Sequence, residues 1–114
     1  MSTNQDQPVP SEAAIVYNVT TKTEASIAPA WVEWMQAEHI PAILATGCFV
    51  RARILQLTEI DDSEGPTYAV QYEANSKAHY TQYMELHAAA MRNAAELKWG
   101  AAIISFRSVL RVVN

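Results

Sequence analysis

A chain of 114 residues, half of them hydrophobic and 18% charged, has the make-up of one globular domain and not of a disordered or fibrous chain. Its formal net charge of −4 gives no support to a general nucleic-acid or anionic-membrane surface. Cys48 is the only cysteine, which rules out an intramolecular disulfide and fits a reducing, cytoplasmic setting. No apolar run reaches the length of a membrane span, and no basic N-terminal segment leads into an apolar one.

Residues 1–12 (MSTNQDQPVPSE) are polar, carry two prolines and have no periodicity. They are expected to be a disordered tail to a single domain over 13–114. Ala13–Thr21 predicts the first strand, with Ile15, Tyr17 and Val19 on one face and Val16, Asn18 and Thr20 on the other. Ser26 is placed to cap a helix with Pro29 in its first turn. Along that helix Ile27, Trp31, Trp34, Met35 and then Glu38 or His39 recur at helical spacing. Pro41 has no amide proton to give, so the helix is expected to kink or end near His39, with a short turn to Thr46 closed by Gly47.

Phe49–Glu59 alternates as a second strand, Asp61 to Pro66 is a turn by composition, and Thr67–Ala74 is a third strand with Tyr68, Val70 and Tyr72 on one face. Ser76 caps a second helix whose apolar stripe runs through Tyr80, Tyr83, Met84, His87, Ala88, Met91 and Ala95, and Gly100 stops it. Ala101–Val113 is the last strand. The order β-α-β-β-α-β predicts an α+β, ferredoxin-like fold: a four-stranded antiparallel sheet with both helices on one face. Val16, Phe106, Leu110 and Val112 then fall on the face the helices do not reach. Apolar residues there predict a homodimer paired through the sheet.

The blocks Val16-Tyr17-Asn18-Val19-Thr20, Trp31-Val32-Glu33-Trp34-Met35 and Glu38-His39-Ile40-Pro41, followed by Ala45-Thr46-Gly47-Cys48-Phe49, resemble an uncharacterised bacterial family, domain of unknown function 4286. Tyr68-Ala69-Val70-Gln71-Tyr72, Lys98-Trp99-Gly100 and Phe106-Arg107-Ser108 continue the resemblance, which spans about Ala14 to Asn114. It implies the dimeric α/β-barrel superfamily of ferredoxin-like domains. That superfamily includes cofactor-free monooxygenases, muconolactone-isomerase-like enzymes, haem-dependent members and small-ligand sensors. It implies no catalytic residue.

Among residues that carry chemistry, His39 follows Glu38 at the proline kink. It fits a general base or ligand-binding group facing a cavity, and equally a cap on the broken helix end. His87, on the stripe with Tyr80, Tyr83 and Met91, fits either a pocket group or a packing ring. His79 is expected in solvent. A ligand pocket would draw on Tyr17, Trp34, Met35, His39, Tyr83 and His87, with His39 as the catalytic candidate. Arg51 with Arg53, and Arg107 with Arg111, share strand faces and suit either an anion or ion pairs to Glu73 or Glu85. Cys48 fits a reactive thiol or a small buried apolar residue. The three histidines lack metal-ligand spacing and glycine loops for phosphate are absent, so no metal, cofactor or nucleic acid is expected. The expectation is therefore a small homodimer that binds an organic ligand between helices and sheet. The alternatives are a non-catalytic dimerisation or sensing module and a cofactor-free monooxygenase- or isomerase-like enzyme.

Overall fold

The computed structural model describes residues 14–114, so the tail expected over 1–12 lies outside the described residues. Four strands form the sheet: β1 (Ile15–Thr23), β2 (Arg51–Gln56), β3 (Thr67–Ala74) and β4 (Ile103–Arg111). Their order is β2-β3-β1-β4, with each neighbouring pair antiparallel. Four helices pack on one side: α1 (Ala28–Trp34), α2 (Ile40–Leu44), α3 (Lys77–Leu86) and α4 (Ala88–Trp99). This is the ferredoxin-like α+β arrangement.

Alternation along β1 decides what the core contains. Ile15, Tyr17, Thr21 and Thr23 are buried under the helices, and Tyr17 pairs with Tyr72 and Val19 with Val70 on β3. Trp31 from α1 is 2% exposed and stacks on Tyr68, ring centroids 5.1 Å apart. Tyr17 is a hub, within 6.2 Å of the rings of Phe49, Tyr72, Tyr80 and Tyr83. Such offset aromatic packing supplies much of the buried area of a small core.

The chain passes Pro41 without ending the helix. A π turn, Met35–His39, links α1 to α2, and the Ile40 amide donates to the Met35 carbonyl five residues back. Widening the turn by one residue accommodates the proline and the hydrogen bond it cannot make. Gly47, at φ +79°, closes the segment, its amide donating to the Leu44 carbonyl.

Several boundaries differ from expectation. β1 extends to Thr23, and a 3₁₀ turn over Ala25–Ile27 precedes α1, so Ser26 makes no capping bond. β2 is shorter than Phe49–Glu59, because Phe49 turns into the core at 4% exposure and the chain leaves β3 after Leu57, whose amide makes a last bond to the Thr67 carbonyl. The second helix breaks at His87, whose φ of −129° is outside the helical range. That break buries Ala88 and leaves Leu86 in solvent. β4 begins at Ile103, after a 3₁₀ turn that starts at Gly100. Ser76 does cap α3, accepting from the His79 amide.

The uncovered sheet face is apolar over only half its width. Ile104, Phe106 and Leu110 of β4 are exposed there, with Val16 opposite Leu110. On the β2 and β3 half lie Arg51, Arg53, Gln71 and Glu73. Between the halves Asn18, 8% exposed, donates to Thr20 Oγ1 at 3.0 Å and Ser108 Oγ at 3.3 Å.

Candidate functional site

A cavity of about 50 Å³ lies between the helices and the sheet. β1 brings Tyr17 to it, α1 brings Trp34, and the π turn brings Met35 and His39. Tyr83 enters from α3, Met91 and Arg92 from α4, and Ser105 and Arg107 from β4. Five of the six expected pocket residues therefore meet in one place. The sixth, His87, does not line it; at the α3–α4 break its ring packs 6.2 Å from that of Tyr83.

The π turn explains where His39 points. One extra residue between Trp34 and Pro41 turns the later part of the helix by about 100° relative to a plain α-helix. His39 consequently stacks on Trp34, centroids 4.4 Å apart and planes 21° from parallel. Trp99 meets the edge of Trp34 at 5.9 Å. Burial pulls the His39 pKa down from 6.5 to about 4, so the ring is neutral at pH 7.

That shift ties stability to pH. Between about pH 4 and 6.5 the unfolded chain binds a proton at His39 and the folded chain does not, so stability falls as pH drops through that window. With a discount for the ring's partial exposure, lowering the pH from 7 to 5 is expected to cost the native protein on the order of 1 kcal/mol more than it costs His39→Phe. Urea unfolding of both proteins at the two pH values checks this. Parallel pH dependence in the two would show that the histidine is not desolvated.

Arginines complete the site. Arg107 Nε donates to the Tyr17 hydroxyl at 3.1 Å. Tyr17 close by also holds the Arg92 guanidinium above its ordinary pKa. Arg92 Nε is buried without a partner among the described residues. Among the described residues the only ion pairs are Lys22–Glu64 and Arg51–Glu73, so no described carboxylate pairs with either arginine. Burial, with Tyr17 close by, raises the Tyr83 hydroxyl, and burial raises Tyr72 likewise, so both phenols stay protonated.

Arg92 was not apparent in the sequence because it sits beside, not on, the α4 stripe. Its long side chain reaches back across the stripe's edge, as arginine stems do. Arg107 was visible only as half of an arginine pair; both it and Arg111 are exposed, and Arg107 alone lines the cavity. Of the other arginine pair, Arg51 reaches Glu73 at 3.0 Å on the open sheet face. A shallow depression of about 290 Å³ there is bounded by these charges, Arg53, Gln71 and Val16. Cys48 is 2% exposed, buried as a small apolar residue. His79 is exposed, its Nδ1 2.8 Å from Ser76 Oγ. Among the described residues no three His, Cys, Asp or Glu side chains converge, and no helix is long and apolar enough to cross a membrane.

No curated protein matches the chain. Two solved structures share its fold. One is a dimeric ferredoxin-like protein from an uncultured marine organism, 14% identical, with a TM-score of 0.63 over 90% of this chain and 98% of that one. The other is an EthD-like protein from Ralstonia eutropha, 13% identical, with a TM-score of 0.63 over 90% of this chain and 95% of that one. At such identities the likeness is one of fold. The family model for the domain of unknown function DUF4286 matches residues 14–113, almost everything described above, and the protein belongs to that family.

Proposed function

We propose that the protein is a homodimer that binds a small organic ligand in the cavity between helices and sheet. The observation that carries this reading is the convergence of Tyr17, His39, Arg92 and Arg107 on one apolar-walled space. Buried polar groups normally satisfy one another, yet Arg92 Nε has no partner among the described residues. A few convergent polar groups on an apolar wall are the usual make-up of a ligand site.

Size limits the ligand. About 50 Å³ of space holds roughly four water-sized atoms, well below the several hundred Å³ of a site formed for a drug-sized molecule. The ligand is a fragment of a few heavy atoms, or a larger one that parts α4 from the sheet. With its pKa near 4, His39 suits a hydrogen-bonding role better than general-base catalysis at neutral pH, where the best base has a pKa near the working pH. The small volume also favours the competing reading, a non-catalytic dimerisation module whose cavity holds only water.

Amide NMR spectra recorded with millimolar mixtures of small acids, amides and alcohols separate the two. Binding is expected to shift resonances of Trp34, His39, Arg92 and Arg107 together. No shift at any of them would leave the dimerisation module as the function. Dimerisation itself is supported by the exposed Ile104, Phe106 and Leu110 and by a fold neighbour that is a dimer.

A further inference from the structure

We infer that the ligand of this cavity is a small carboxylate, seated between the Arg92 and Arg107 guanidiniums and the Tyr17 hydroxyl. The inference rests on the reading of the cavity as a ligand site and assigns its chemical class.

The argument begins with donors. Arg107 sits on the helix-facing side of β4, paired with Val19, one register step from Tyr17. Its Nε donates to the Tyr17 oxygen, which leaves the phenolic proton free to be given elsewhere. Arg92 lines the same cavity from α4, with its buried Nε proton unclaimed among the described residues. Two cationic side chains thus line the cavity beside one neutral hydroxyl, and the Arg92 Nε–H and the Tyr17 O–H are donors available to a guest.

Charge adds to this. The chain has 12 acidic residues against 8 basic ones, so carboxylates are in surplus, yet among the described residues none pairs with either arginine. Arg107 is exposed and Arg92 half-buried, so solvent screens their mutual repulsion, and an anion between them would meet two cationic side chains at once. His39, neutral beside Trp34, contributes no competing charge.

Shape selects the anion. A carboxylate is planar, accepts through two oxygens, and meets the arginine fork in parallel hydrogen bonds. Its apolar end would face Trp34, Met35 and Met91, which line the same space. Phosphate sites lean on runs of backbone amides in glycine-rich loops. Here the three glycines, Gly47, Gly65 and Gly100, all lie outside the cavity wall. The volume is also too small for a phosphate ester with its substituent.

Calorimetric titration of the full chain at pH 7 with propionate, propionamide and inorganic phosphate tests the assignment. Propionate is expected to bind, with propionamide and phosphate at least tenfold weaker. Arg107→Gln is expected to weaken propionate by about 10- to 100-fold, Arg107→Lys by less, and Tyr17→Phe by severalfold. Thermal melts of each variant establish that it is folded, and Arg92→Gln provides an independent loss of the same seat. Equal binding of propionamide, or tighter binding of phosphate, overturns the carboxylate while the cavity stands as a ligand site. Absence of binding by all three probes overturns both readings.

Discussion

In the homodimer proposed above, Phe106→Glu is expected to give a monomer, raising the dissociation constant by roughly a thousandfold or more. Phe106 is 69% exposed on the sheet face opposite the helices, between Ile104 and Leu110. These three β4 side chains, with Val16 beside them on β1, form an apolar surface that the fold leaves open there. In a two-fold pairing each substitution occurs twice. Each copy removes an aromatic contact and brings an unpaired carboxylate into the interface, at a cost of several kcal/mol. Light scattering at about 10 μM reads the outcome. Leu97→Glu is the matched control: Leu97 is 79% exposed, but on α4. A Phe106→Glu protein that stays dimeric, or a Leu97→Glu protein that dissociates, would move the interface to the helical side.

The second large effect concerns Gly65. The β2–β3 connection folds back on the end of β1: Thr23 donates to the Pro66 carbonyl at 3.0 Å and Ala25 to the Glu64 carbonyl at 3.3 Å. Gly65 lies against that junction with φ +145°, a conformation in which side chains are strained. A Cβ there would overlap the Thr23 carbonyl oxygen and come within 2.8 Å of the Ala25 amide nitrogen. Both neighbours are backbone atoms of a strand end and cannot swing aside. Gly65→Ala is therefore expected to cost about 3–5 kcal/mol, strain and overpacking together, a large share of a small domain's stability. Gly47→Ala is the comparison, since Gly47 has positive φ but nothing within 4 Å of an added Cβ. It is expected to cost only about 1–2 kcal/mol. Similar urea midpoints for the two would mean that the β2–β3 loop detaches readily from β1.

How much of this was legible in the sequence depends on whether local chemistry decides the feature. β3 occupies the expected Thr67–Ala74 because its alternation is clean and turns bound it on both sides. Ser76 and Gly100 mark the ends of the second helical segment through their own hydrogen-bonding and backbone freedom. Tyr17, Trp34, Met35 and Tyr83 were readable as apolar-stripe or strand-face residues from periodicity, whereas the spacing left Glu38 and His39 as alternatives and did not decide where His39 points. The break at His87 was not, since no proline or glycine signals it and the gain is the burial of Ala88. Nor was the cavity: its volume is what remains after side chains from eight elements have packed. The charged half of the open sheet face was visible residue by residue as Arg51, Arg53 and Glu73. Its separation from the apolar half follows from strand order, which places β2 and β4 at opposite edges.

The π turn at Met35–His39 has a consequence for ancestry. A wide turn is one residue longer than the helical path it replaces, so it behaves as a single-residue insertion between Trp34 and Pro41. A relative with a plain α-helix here has one position fewer. Aligned without a gap, it would set against His39 a residue rotated about 100° away from the cavity. The histidine would then look freely replaceable when it has only been misaligned. The gap belongs within 35–39, and a relative that keeps the extra residue keeps the histidine's orientation with it.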